Sequence, residues 1–147
     1  MSIPSSFAAT HGKWVGSSKL YLPDDPKRAS PSQAEVAPVA RGKFLTISYD
    51  WSFEGEPQSG VILLGLEGET ASAIFIDSWH MGDKLMELRG TSTQTGVSVL
   101  GHYSVEGSPE WGWRIAVDFE PGLRVMMYNV IPEEGEVLGF ELTDMAR

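Results

Sequence analysis

The sequence predicts an all-β protein, a closed antiparallel up-and-down barrel of about ten strands formed by one domain over residues 1–147. Three observations carry this. Short apolar or alternating segments recur about every 8–12 residues. Turn signals separate them: "EGEPQSG", "EGET", "MGDK", "TQTG", "EGSPE", "EPG" and "PEEGE". These connections are too short for parallel crossovers, which need on the order of a dozen residues. A meander of this length keeps two exposed edges unless it closes on itself.

Taken in order, "PSSFAATH" is the one candidate helix, with Ser5 or Ser6 as its N-cap, placed over one barrel end. "GKWVGSSKLYL" (12–22) is the first strand. "PDDPKRASPSQ" (23–33) holds three prolines among polar residues and predicts a loop. "AEVAPVAR" is a poorer strand, assigned to an edge or a bulge because Pro38 has no N–H to donate. "FLTISYDWSF" (44–53) alternates cleanly, with Leu45, Ile47, Tyr49, Trp51 and Phe53 on one face. "GVILLGLEG" is apolar on both faces. "SAIFIDSWH", "KLMELRGTST", "GVSVLGHYSV", "WGWRIAVDFE", "LRVMMYNVI" and "EVLGFELTD" complete the set.

Composition narrows the function. The chain is 41% hydrophobic with five Trp and six Phe, as globular proteins are. It has no cysteine, which removes disulfides, thiolate catalysis and Cys-ligated metals. A formal net charge of −9, with no run of Lys or Arg, argues against nucleic acid and anionic membrane as partners. No stretch approaches the ~20 apolar residues of a membrane helix. "MSIPSSFAATHGKW" shows neither the charged nor the apolar region of a signal peptide, so the expectation is a soluble cytoplasmic protein.

Three elements together resemble a bacterial family of calycin-like barrels known as a domain of unknown function. They are "GKWVG" (Gly12, Trp14, Gly16) on the first strand, "FIDSWHMG" in the middle and "MYNVIPEEGE" before the last strand. The first is similar to the G-x-W element of the calycin superfamily, which holds lipocalins, fatty-acid-binding proteins and nitrobindin-like barrels. The resemblance implies a calycin/lipocalin-like closed barrel with a cavity for a small apolar ligand. Nitrobindin-like relatives bind haem through a His near the C-terminus. No His follows His102 here, so no haem or other cofactor is expected. The helix–turn–helix lid of fatty-acid-binding proteins is also missing.

"IFIDSWHMGDK" (74–84) sets Asp77, Ser78, Trp79 and His80 side by side. On a strand, Asp77 would face away from Ser78 and His80, whose Cα atoms would stand ~6.6 Å apart. A nucleophile and its base need heavy atoms within ~3 Å, and no G-x-S-x-G elbow is present, so no catalytic residues are assigned. The simpler reading has Ser78 and His80 satisfying backbone groups at the barrel rim while Trp79 packs. The functional reading has Trp79 or His80 lining a ligand mouth. Of the other histidines, His11 is read as an end-capping or surface residue and His102 as outward-facing, and the three together give no metal-ligand spacing. The acidic residues cluster in turns without the EF-hand pattern.

Trp51, Trp79, His80 and Trp113 are the candidate lining residues for a small hydrophobic ligand. Arg124 and Tyr128, on one face of "LRVMMYNV", could anchor a carboxylate, loosely resembling the Arg-x-Tyr device of fatty-acid-binding proteins. That strand is apolar on both faces, and an outward Arg124 paired with acidic neighbours fits the surface charge better. The expected function is binding of a small apolar or amphipathic molecule inside the barrel. One alternative is an isomerase- or cyclase-like barrel enzyme using His80 or Asp77 as acid–base. Another is an interaction module with a filled core, for instance a homodimer. The facing of strands 72–80 and 123–131 stays open, because a one-residue shift swaps inside for outside.

Overall fold

Period-two alternation drives each strand to bury one face. Ten strands closing on themselves give all ten the same interior to bury it in. The computed structural model describes residues 3–23 and 25–147, with the side chains of 25–27 outside the description. A single helical turn, α1 (Ser5–Ala8), precedes β1 (Gly12–Leu22), β2 (Asp25–Val39), β3 (Phe44–Phe53), β4 (Glu56–Glu67) and β5 (Thr70–Asp77). β6 (Met86–Ser92), β7 (Gly96–Tyr103), β8 (Trp111–Asp118), β9 (Arg124–Ile131) and β10 (Gly135–Ala146) follow. Each strand pairs antiparallel with the next, and β10 returns to β1, closing the barrel. The up-and-down topology is therefore the one the turn spacing predicts.

The stretch 23–33 is not the predicted loop. Apart from Asp24, which lies outside the described residues, most of it belongs to β2, a 15-residue strand. Its prolines are accommodated by how the pairing is staggered. β2 pairs with β1 only as far as Val36 and with β3 only from Gln33. Pro31 therefore lies where β1 is the sole neighbour, and Pro38 where β3 is. A missing N–H is tolerated at such locally one-sided positions. The edge character expected of Pro38 is thus present locally inside a closed sheet.

The interior is filled from all sides. Leu45, Ile47, Tyr49, Ile62, Leu64, Phe75, Leu88, Ile115, Val125, Met127, Phe140 and Leu142 are essentially inaccessible to solvent. β5 turns Ala71, Ala73, Phe75 and Asp77 inward, and β9 turns Val125 and Met127 inward. These assignments settle the two strands whose facing the sequence leaves open.

The two barrel ends differ. α1 covers the end where β1 begins. Phe7 is fully buried and stacks on Phe119 with ring centroids 4.1 Å apart. The Trp14 indole N–H donates to the Thr10 carbonyl at 2.8 Å. The Arg147 guanidinium lies 4.7 Å over the Trp14 ring and donates to the carbonyls of Ala9 and His11, tying the chain's last residue to its first turn. Neither Ser5 nor Ser6 caps α1. Pro4 holds the N-cap position, and the Ser6 hydroxyl donates instead to Gln94 O at 2.6 Å, in the turn before β7. The opposite end, ringed by the turns after β1, β3, β5, β7 and β9, is the one that can be open.

Candidate functional site

β5 ends at Asp77, so Ser78, Trp79 and His80 belong to a turn and not to a strand. This overturns the strand parity assumed for "DSWH". Asp77 and His80 both point into the barrel, and Ser78 points out. Asp77 causes the turn. Its Oδ1 accepts from the backbone N–H groups of Trp79 and His80, both at 2.8 Å, and its main-chain carbonyl accepts from Met81 N. Its Oδ2 accepts from the Tyr49 hydroxyl at 2.6 Å and from the Trp51 indole N–H at 3.3 Å. The carboxylate, only 2% exposed, is thus held by four donors, which offset the cost of burying it. Burial, reinforced by the Asp77 charge and hydrogen bond, holds the Tyr49 hydroxyl well above its ordinary pKa. Ser78 donates to Gln58 Oε1 at 2.7 Å on the rim, away from any base. Acid, hydroxyl and imidazole are adjacent in sequence but are not assembled into a hydrolytic site.

Once turned inward, His80 sits in a box of rings. Its centroid lies 5.4 Å from Trp51, 4.9 Å from Trp79, 5.3 Å from Trp113 and 5.1 Å from Phe140. Burial among these groups pushes its pKa down to about 4, against a smaller opposing pull from the Asp77 charge. The imidazole is therefore neutral at pH 7. Its Nε2 and the Trp113 Nε1 are buried without a hydrogen-bond partner among the described residues.

A cavity of about 680 Å³ opens at this end of the barrel. Trp79, His80 and Trp113 form its inner wall, together with Leu20, Met86 and Gly139. A Cβ on Gly139 would stand 3.4 Å from the Trp113 ring and from Asn129 Nδ2, so the bare backbone there leaves room for both. Tyr103 and Asn129 add a polar stripe, with the Tyr103 hydroxyl donating to Asn129 Oδ1. Lys84, Leu85 and His102 stand at the mouth, all exposed.

Of the residues singled out from the sequence, Trp79, His80 and Trp113 line the cavity. Trp51 lies behind them, against His80 and Asp77. Arg124 and Tyr128 are elsewhere. β9 presents both outward, where Arg124 stands 3.6 Å from Glu141 and Tyr128 lies under the Arg114 guanidinium at 4.5 Å. The cause is strand parity. Inward Val125, Met127 and Asn129 alternate with outward Arg124, Met126 and Tyr128. His102 is on the outer face as expected, yet at the end of β7 it reaches the mouth. Sequence reasoning missed Asn129, Tyr103 and Lys84. The signal for Tyr103 was readable, since it is a polar group at the inward parity of the otherwise apolar face of β7, whereas β9 is apolar on both faces and gives no parity for Asn129. Among the described residues no group of three His, Asp or Glu is placed to hold a metal ion. Among the described residues no helix is long and apolar enough to cross a membrane.

The family described as "Protein of unknown function (DUF1579)" matches residues 5–146. No curated protein matches the chain.

Proposed function

The chain belongs to the DUF1579 family, and we propose that it binds a small apolar or amphipathic molecule in the open end of its barrel. The observation that carries this is the contrast between the two ends. α1, Trp14 and Arg147 seal one, and the other holds a cavity of about 680 Å³ with an aromatic wall. Small-molecule sites commonly occupy 300–1,000 Å³ or so, with apolar walls and a few polar groups. Trp79, His80 and Trp113 supply the apolar surface, and Tyr103 and Asn129 the polar groups. The calycin-like reading draws support from the G-x-W element, which lies on β1 at the closed end beside the short helix.

Acid–base catalysis is less well supported. Both Asp77 oxygens are taken up by donors, and His80 Nε2 is buried without a hydrogen-bond partner among the described residues.

Native mass spectrometry of the purified protein, with solvent extraction, tests the proposal alongside titration of the neutral dye N-phenyl-1-naphthylamine. The expected result is a stoichiometric small-molecule adduct or saturable dye uptake, either one weakened by Trp113→Ala. A clean apo mass together with no dye uptake would contradict it.

A further inference from the structure

Resting on that reading, we propose that the cavity takes an amphipathic organic anion, its apolar body against Trp79, His80 and Trp113 and its anionic oxygen head at Lys84 and Asn129.

The charge distribution argues for the head group. The chain carries 20 Asp and Glu against 11 Lys and Arg. Yet among the described residues none that wall the cavity is acidic, and Lys84 stands in that wall. Lys84 forms no ion pair within the described residues. Glu141, the buried acid behind this end of β1, faces outward and is already engaged by the Tyr21 hydroxyl at 2.8 Å and by Arg124 at 3.6 Å. Among the described residues, the lining thus carries a cation, Lys84, and no carboxylate, and the nearest buried acid, Asp77, is already held by four donors.

The hydrogen-bond inventory points the same way. The Tyr103 hydroxyl donates to Asn129 Oδ1, which leaves both amide protons of Asn129 unused. The Tyr21 hydroxyl is committed to Glu141. The Trp113 indole N–H has no acceptor among the described residues. At the mouth, Lys84 and the Asn129 amide therefore offer donors that no described residue takes up. An oxyanion supplies acceptors and countercharge together, and a charge-assisted bond is roughly twice as strong as a neutral one. The inner wall is aromatic, so a charged group placed there would lose its hydration without recompense. That sets the polarity of the ligand: head at the mouth, body inward. A cationic ligand would meet Lys84 with no acid among the described lining residues to receive it.

Three probes with one tail and different heads test this by tryptophan fluorescence titration: dodecanoate, dodecan-1-ol and dodecylamine. Dodecanoate is expected to bind about tenfold more tightly than the alcohol, with the amine weakest. Lys84→Ala, a change on an exposed turn, should bring dodecanoate down to the level of the alcohol. Equal binding of acid and alcohol, tighter binding of the amine, or a dodecanoate preference that survives Lys84→Ala would overturn the anion assignment and leave ligand binding standing. Failure of all three probes to bind the folded protein would overturn both.

Discussion

Asp77 joins three parts of the barrel through one carboxylate: β3 through Tyr49 and Trp51, the end of β5, and the turn that carries Trp79 and His80. Removing it leaves several buried donors without an acceptor, each costing about 1–3 kcal/mol before relaxation. Asp77→Ala is expected to destabilise the fold by about 3 kcal/mol in urea unfolding, and Tyr49→Phe by about 1 kcal/mol. His80 adds a pH dependence. Its native pKa is about 4 against 6.5 for the free side chain. Between those values the unfolded chain takes up a proton that the native state refuses. Stability therefore falls as pH drops from near 7 to 4, by about 3 kcal/mol, and this contribution levels off below that. Unfolding of His80→Gln followed across the same range should show a correspondingly flatter profile. An unchanged profile would mean that the imidazole is not buried as described. The residue types of this stretch are plain in the sequence, but their directions are not. Parity holds only along a strand, and Asp77 ends the strand by capping its own turn.

Gly60 shows how an element makes room for a residue on its neighbour. A Cβ there would collide with the Tyr49 hydroxyl and stand 2.9 Å from Asp77 Oδ2. Gly60→Ala is expected to cost about 1–3 kcal/mol, read as a lowered urea midpoint at unchanged slope, because the Tyr49–Asp77 bond must shift. At the other end, α1 has no side-chain cap and is only four residues long, so its position depends on packing and on Arg147. Arg147→Ala should raise amide exchange across residues 5–11 while leaving β4 and β5 protected. The strands with clean alternation, β3 and β7 above all, were legible because a half-buried strand writes its environment at every second residue. β2 was not. Prolines and polar residues read as loop until the staggered pairing shows that each proline meets only one neighbour. β9 is apolar on both faces, so its sequence carries no parity signal, and Arg124 and Tyr128 could be placed only by the register.

At the scale of the whole molecule, turn spacing foretold the closed barrel, since short connections allow only antiparallel neighbours and closure removes the edges. The cavity was legible only in part. Trp79, His80 and Trp113 announce themselves as large aromatic groups, but which barrel end stays open depends on where α1 packs and on an inward turn after β5. Lys84 gave no signal, because an exposed lysine in a turn looks like any solvated charge. The central claim is that one end of this barrel is a ligand site and the other a sealed plug. The five tryptophans report on it directly. Dodecanoate titrated into ¹⁵N-labelled protein should shift the indole N–H resonances of Trp79 and Trp113 together and saturably, while Trp14, bonded to Thr10 at the sealed end, stays in place. Indole signals that do not move, or a Trp14 signal that moves as far as that of Trp113, would contradict the account.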